Sequence, residues 1–344
     1  MSKLIIRSVV VIAIVVMGFM AVGDLQAADK PKEVNIAIIA ISVMEEPWNT
    51  ALIQSLERVK KEKPDGLDIK WDVVAENVFP PDAERVLNGI AKTDKYDIIW
   101  AHSTYGDAVE KLAPKYPEIM WVFAGSGNKG LGGNAYWVDS FVHESAYLLG
   151  IISGMMTKTN TIGAVAAFPY PNVNSPVNAF LEGARSVNKA IKIKMTYIDS
   201  WFDPPKAKES TLAQIAAGAD FIYAERFGPF EACKEKGKYA FGHFVDQNSL
   251  APDVVVSSTI ALWDGCIKYV INDWYNHVTK GTPYNAPKVR IFFLMADGGA
   301  DIAPYHNLGD KIPQPVKDEV DKAHQAIKDG KLSVTMNEAK VSSQ

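Results

Sequence analysis

The chain is short of the features that announce chemistry. It has two cysteines and six histidines in 344 residues. Two cysteines do not make a metal site, and His102, His143, His243 and His306 stand singly in different segments, without ligand spacing. No metal and no cofactor is therefore expected. No Gly-x-Ser-x-Gly elbow occurs, because Gly125, Ser126 and Gly127 lie in the wrong context. No glycine-rich loop ends in Lys-Ser or Lys-Thr, and Gly130–Gly133 reads as a turn. Glu45 and Glu46 are neighbours in sequence and read as solvated rather than as an acid–base pair. No long basic run is present and the net charge is −4, which argues against nucleic acid as a partner. The "KKEK" piece at Lys60–Lys63 reads as a solvated helix end. The pattern does not suggest an enzyme.

Long apolar runs are also scarce, with one exception. Lys3 and Arg7 flank the start of "LIIRSVVVIAIVVMGFMAV", and small residues follow in "LQAADK". A charged start, an apolar core and small residues, in that order, predict a secretory signal peptide over residues 1–28, with cleavage after Ala27 or Ala28. An uncleaved anchor is the alternative, with an apolar core near the lower limit for spanning. No Cys lies near the cleavage site to carry a lipid. A periplasmic location follows. That compartment permits a disulfide between Cys233 and Cys266, while two buried thiols are equally compatible with their helical segments.

What the chain has in quantity is alternation. "VNIAIIAI" (Val34–Ile41) reads as a strand covered on both faces, and "PWNTALIQSLERVKKE" as a helix with Pro47 in its first turn. The same strand–helix order repeats to "PQPVKDEVDKAHQAIKDG", which predicts an α/β chain with mostly parallel sheets flanked by helices. Two halves of domain size are the natural division.

In such sheets ligands bind beyond the carboxyl ends of the strands. The loops there carry an aromatic residue beside polar ones: Trp48 and Asn49; Ser103, Thr104 and Tyr105; Phe168, Tyr170 and Asn172; Trp201, Phe202 and Asp203. The later loops add Glu225, Arg226 and Phe227; Phe244, Asp246 and Gln247; and Trp263 and Asp264. Taken singly these aromatics suit a core. Recurring at equivalent strand ends, they suit a cleft for a flat heteroaromatic ligand, stacked between rings and hydrogen-bonded at its edge. In "YAERFGPF", Glu225 would accept a ligand N–H and Phe227 would cover a ring face. Arg226 fits equally a simple ion pair at the sheet end.

Several segments in this order carry a family resemblance: "PWN" after the first strand, "AFLEGARSVN" (Ala179–Asn188), "SWFDPPKAKESTLAQIAAGADFI" (Ser200–Ile222), "VDQNSLAPD" (Val245–Asp253) and "DGGADIAPYHN" (Asp297–Asn307). Across Val34–Ile327 the chain resembles the basic membrane protein family, substrate-binding components of certain ABC importers. The resemblance implies a two-lobed type I periplasmic binding protein fold, each lobe a Rossmann-like mostly parallel sheet, with several hinge crossovers. It places residues 34–139 and 258–287 in lobe one, and 140–257 and 288–335 in lobe two. It implies a monomer that closes on a small molecule and docks on an inner-membrane ABC permease. The ligand it implies is a purine nucleoside or a nucleobase such as adenine or hypoxanthine. Trp48, Asn49, Ser103, Tyr105, Phe168, Trp201, Glu225, Phe227 and Asp246 match family contact positions. Phe244 and Trp263 join them from the strand-end loops. Nucleoside-binding members carry a Lys where Ala261 aligns here, which favours a base over a nucleoside. A non-purine aromatic such as a flavin-like ring, or a role as ligand sensor for a signalling receptor, are the alternatives.

Overall fold

In the computed structural model, which describes residues 30–344, two six-stranded sheets lie side by side within one unit, Pro31–Gln344. The predicted leader lies outside the described residues. Among those residues no helix is long and apolar enough to cross a membrane.

The first half of the chain runs β1 (Glu33–Ala40), α1 (Pro47–Glu62), β2 (Asp68–Ala75), α2 (Pro80–Ala91), β3 (Ile98–His102), α3 (Gly106–Leu112), β4 (Met120–Phe123) and β5 (Ala135–Ser140). The second half continues with α4 (His143–Met156), β6 (Thr161–Ala166), α5 (Pro171–Val187), β7 (Lys192–Tyr197), α6 (Pro204–Ala216), β8 (Phe221–Ala224), α7 (Pro229–Lys236), β9 (Tyr239–Gly242) and β10 (Val255–Ala261). It closes with α8 (Asp264–Lys280), β11 (Ile291–Phe293), β12 (Ala300–Ile302) and α9 (Gln314–Lys328).

The sheet orders are β11-β5-β4-β3-β1-β2 and β12-β10-β9-β8-β6-β7. Every pairing is parallel except β10 with β12. The central strands β1, β3 and β4 are mostly apolar because helices cover both faces. Helix starts follow the chemistry of their first residues. Glu46 caps α1 by accepting the Trp48 N–H at 3.0 Å, with Pro47 next, and Asp203 caps α6 by accepting the Lys206 N–H at 3.0 Å. The small residues of α4 and α5 serve close packing: a Cβ on Gly183 would lie 2.0 Å from the Tyr147 carbonyl oxygen.

The chain passes between the sheets three times: after β5, after β10 and after β11. These passages move two of the expected boundaries. Ser258–Ala261 belong to β10 in the second sheet, and Ile291–Phe293 pair with β5 in the first. β11, an edge strand of three residues, gives a weak sequence pattern, and its sheet is set by pairing. α8 packs with α1 in the first lobe, and the Arg58–Asp264 pair fixes it there at 2.6 Å. α9 buries Val316, Val320, Ala323 and Ile327 in the core of the second. The three passages meet at Gly299. Its carbonyl accepts from Ser140 Oγ at 2.5 Å and from the Leu262 N–H at 2.9 Å, and a Cβ there would sit 2.1 Å from the Phe293 oxygen. Cys233 and Cys266 are free, buried thiols in α7 and α8, so the disulfide alternative falls away. Burial pushes the Cys233 thiol up to about 12, which keeps it protonated and inert.

Candidate functional site

Between the carboxyl ends of the two sheets lies a cavity of about 450 Å³. Parallel strands force this placement, since every strand of a sheet delivers its following loop to the same edge. The first lobe supplies Ile41, Ser42, Glu46 and Trp48 after β1, Pro80 at the start of α2, Ser103 and Thr104 after β3, and Gly125–Gly127 after β4. The second supplies Tyr170, Pro171 and Asn172 after β6, Trp201 after β7, Glu225 and Arg226 after β8, and Phe244 after β9.

The polar part of the wall is an ion network that spans both lobes. Arg226 donates from Nε to Glu225 Oε2 at 2.9 Å and from Nη2 to Glu225 Oε1 at 2.5 Å. From Nη1 it reaches Glu46 Oε1 at 3.0 Å and the Trp201 carbonyl at 3.2 Å. Glu225 Oε2 also accepts the Ala167 N–H at 2.9 Å. All three side chains are almost wholly buried. Burial raises both carboxyls above the ordinary carboxylate range, against the pull of Arg226. Burial also works against the Arg226 charge, but Glu225 and Glu46 outweigh it and hold that group above its ordinary value. Two carboxylates against one guanidinium leave the wall rich in acceptors, with four of the five guanidinium N–H groups already donated.

The apolar part is built from supported rings. Trp48 stacks on His102 with centroids 5.0 Å apart and meets Trp263 edge-on at 4.9 Å and Phe244 at 5.1 Å. Burial holds His102 down at about 3, so it is neutral, and its Nδ1 accepts the Trp100 indole N–H at 3.1 Å. On the far side Trp201 packs against Phe168 at 5.1 Å and Tyr170 at 5.9 Å, with the Arg226 guanidinium 5.5 Å from its ring centre. A second bond joins the lobes: Ser126 Oγ donates to Asn172 Oδ1 at 2.7 Å. Behind Glu225, His243 is neutral because burial and Arg226 both disfavour its charge. Its Nδ1 faces the Tyr223 hydroxyl at 2.6 Å.

Of the residues singled out from sequence, Trp48, Ser103, Trp201, Glu225 and Phe244 line the cavity. Thr104, Tyr170, Asn172 and Arg226 from the same strand-end loops line it too, and the remaining expected contacts lie elsewhere. Asn49 is buried behind the wall and donates to the carbonyl of Val43 at 2.9 Å, which fixes the loop after β1. Tyr105 points into the first lobe's core and donates to the Val78 carbonyl at 2.6 Å. Phe168 and Trp263 are backing rings for Trp201 and Trp48. Phe227 packs on Phe202 away from the cavity lining, and Asp246 pairs with His306 at 2.7 Å. Glu46, expected to be solvated, is 4% exposed and bound to Arg226, because an N-cap at this edge of a parallel sheet faces the cleft. That position, just before Pro47, was the sequence cue for it. Tyr170, Asn172 and Thr104 stood in the strand-end loops, and Ser42 and Pro171 gave no cue beyond their place in them.

The arrangement can enclose a flat ring between supported aromatics and accept its N–H groups at one edge. Similar proteins agree with a binding role. A purine-binding protein of Brucella abortus is 28% identical over 322 residues, spanning 92% of this chain and 87% of that protein. A putative ABC transporter glucose-binding protein of Haloferax volcanii is 29% identical over 320 residues, spanning 91% and 78%. Among solved structures, an ABC transporter solute-binding protein from Aeropyrum pernix superposes with a TM-score of 0.70 at 17% identity, covering 88% of this chain and 94% of that one, a likeness of fold. The two-lobed periplasmic binding fold is shared, and residues 33–285 match the family described as ABC transporter substrate-binding protein, PnrA-like. The chain belongs to that family of ABC transporter substrate-binding proteins, which bind rather than transform their ligands.

Proposed function

We propose that this chain is the exported receptor of an ABC importer and that it closes on a purine-type ring, a free base in preference to a nucleoside. The observation that carries the reading is the cavity wall itself. Aromatic faces from both lobes, Trp48 and Trp201, flank two buried carboxylates that act as acceptors. Purine edges carry ring and exocyclic N–H groups that suit such acceptors. The name of the Brucella relative points the same way. Preference for a base is supported by the state of Arg226, the cation among the lining residues, which is already bound to Glu225 and Glu46 and is not free to orient a ribose. The basic and apolar leader in the sequence supports a periplasmic site of action.

Thermal unfolding against adenine, hypoxanthine, adenosine, riboflavin and glucose tests this. A ligand at a hundred times its Kd stabilises by about 2.7 kcal/mol through mass action, so a purine base should raise the melting temperature clearly. A shift from glucose or riboflavin with none from any purine sinks the reading.

A further inference from the structure

Residues 334–344 form no helix or strand, yet they are held down along their length. Val334 is buried in the core of the second lobe. Asn178 Nδ2 donates to the carbonyls of Asn337 and Ala339, each at 2.8 Å. The Val341 N–H reaches the Tyr197 hydroxyl at 3.2 Å, and Val341 itself is 5% exposed. Ser343 Oγ and the Gln344 N–H then bond Met195 and Ile193 along the outer side of β7, an edge strand.

One buried side chain joins this segment to the cavity. Asn174, 2% exposed, donates from Nδ2 to the Glu338 carbonyl at 3.0 Å and to the Pro169 carbonyl at 3.1 Å. Its Oδ1 accepts from the Tyr197 hydroxyl at 2.6 Å, the same hydroxyl that Val341 contacts. Pro169 sits between Phe168 and Tyr170, the rings that pack on Trp201, and the next residues, Pro171 and Asn172, line the cavity. The wall loop of the second lobe is thus tied, through a single amide, to a strap that ends on the sheet edge.

We propose that residues 334–344 are a strap that sets the ligand-facing loop 168–172 through Asn174, which makes Asn174 a positioning residue for binding. The binding role of the cavity is required, the identity of the ligand is not. A loop fixed before the ligand arrives loses less conformational freedom on binding, so a loosened strap weakens affinity without removing any ligand contact.

Native-state hydrogen exchange on the full chain without ligand tests this. Two variants displace the strap from outside the wall, Asn178→Ala and Val341→Asp. The amides of Val173 and Asn174, which both donate to the Tyr170 carbonyl, should exchange about tenfold faster or more in either variant, with β1 unchanged. Adenine, the probe ligand, should bind roughly five- to tenfold more weakly to each variant. Tyr197→Phe, which breaks the shared hydroxyl, should act in the same direction. If the Val341 and Gln344 amides speed up while those of Val173 and Asn174 do not, the strap does not set the loop and the proposal is overturned. It is equally overturned if neither variant loosens the strap, or if the melting temperature falls while the adenine Kd stays constant. A wild-type chain that binds no adenine counts against the purine reading alone, since the exchange result stands without a ligand.

Discussion

Replacing Glu46 with Gln removes the charge that the first lobe contributes to the ion network of the cavity, with little change of shape. Glu46 and Arg226 sit on opposite lobes, 3.0 Å apart, so under the proposed closing of the lobes their bond belongs to the closed state alone. Breaking a buried ion pair commonly costs about 3–5 kcal/mol because a charge is left alone. Here the loss is smaller. Arg226 keeps both bonds to Glu225, and an opening cleft lets water reach it. What disappears is one charge-assisted hydrogen bond of the closed state, worth roughly 1.5–3 kcal/mol. Glu46→Gln should therefore weaken ligand binding by about ten- to a hundredfold, and leave the melting temperature of the ligand-free protein nearly unchanged. Glu225→Gln should behave in the opposite way. Its bonds to Arg226 and to the Ala167 N–H lie within one lobe and persist on opening. The lower end of the buried-pair cost, about 3 kcal/mol, corresponds to a fall of roughly 6–12 °C for a domain of this size. Calorimetric titration with adenine and scanning calorimetry of the ligand-free variants read the two effects separately. If Glu46→Gln lowers the ligand-free melting temperature as far as Glu225→Gln and leaves the Kd alone, the pair is not a closure contact and the reasoning fails.

Trp48→Ala and Trp201→Ala should each weaken adenine binding by at least about tenfold, since each removes an aromatic face worth roughly 1–3 kcal/mol to a stacked base, and chromatography of the incubated ligand should show it unchanged. Stability should also fall on acidification. Burial depresses His102 to about 3 and His143 to about 4, below the unfolded value near 6.5. The unfolded chain therefore binds the extra protons, and the stability from these neutral rings is complete above about pH 6.5 and lost as pH falls toward the folded values. Between pH 7.5 and 5 each ring accounts for about 2 kcal/mol, while the raised carboxyls of Glu46 and Glu225 act with the opposite sign nearer the carboxylate range. Urea unfolding at pH 7.5 and 5 checks this, and His143→Gln should flatten the difference. An unchanged slope in that variant would refute the assignment.

Local patterns carried the layers of the fold. Continuous apolar runs such as Val34–Ile41 and helix starts such as Pro47 are properties of adjacent residues, and they placed nearly every strand and helix. The strand β12 was not legible, because three residues, Ala300–Ile302, make a strand only by pairing with β10. The same holds for β11, whose sheet depends on its partner β5 rather than on its own composition.

For the site, the sequence determined which loops matter, because a parallel sheet sends all its strand-end loops to one edge. It could not decide which way a side chain in those loops turns. Trp48 and Trp263 are alike in kind and position, yet one lines the cavity and the other supports it from behind with no exposure. Glu46 and Arg226 lie 180 residues apart, and nothing local in either marks the other as its partner. Their pairing, like the tie from Glu338 through Asn174 to Pro169, arises only when two lobes and a returning strap are brought together. Burial then makes each such bond matter, since a polar group removed from water must find its partner inside the protein.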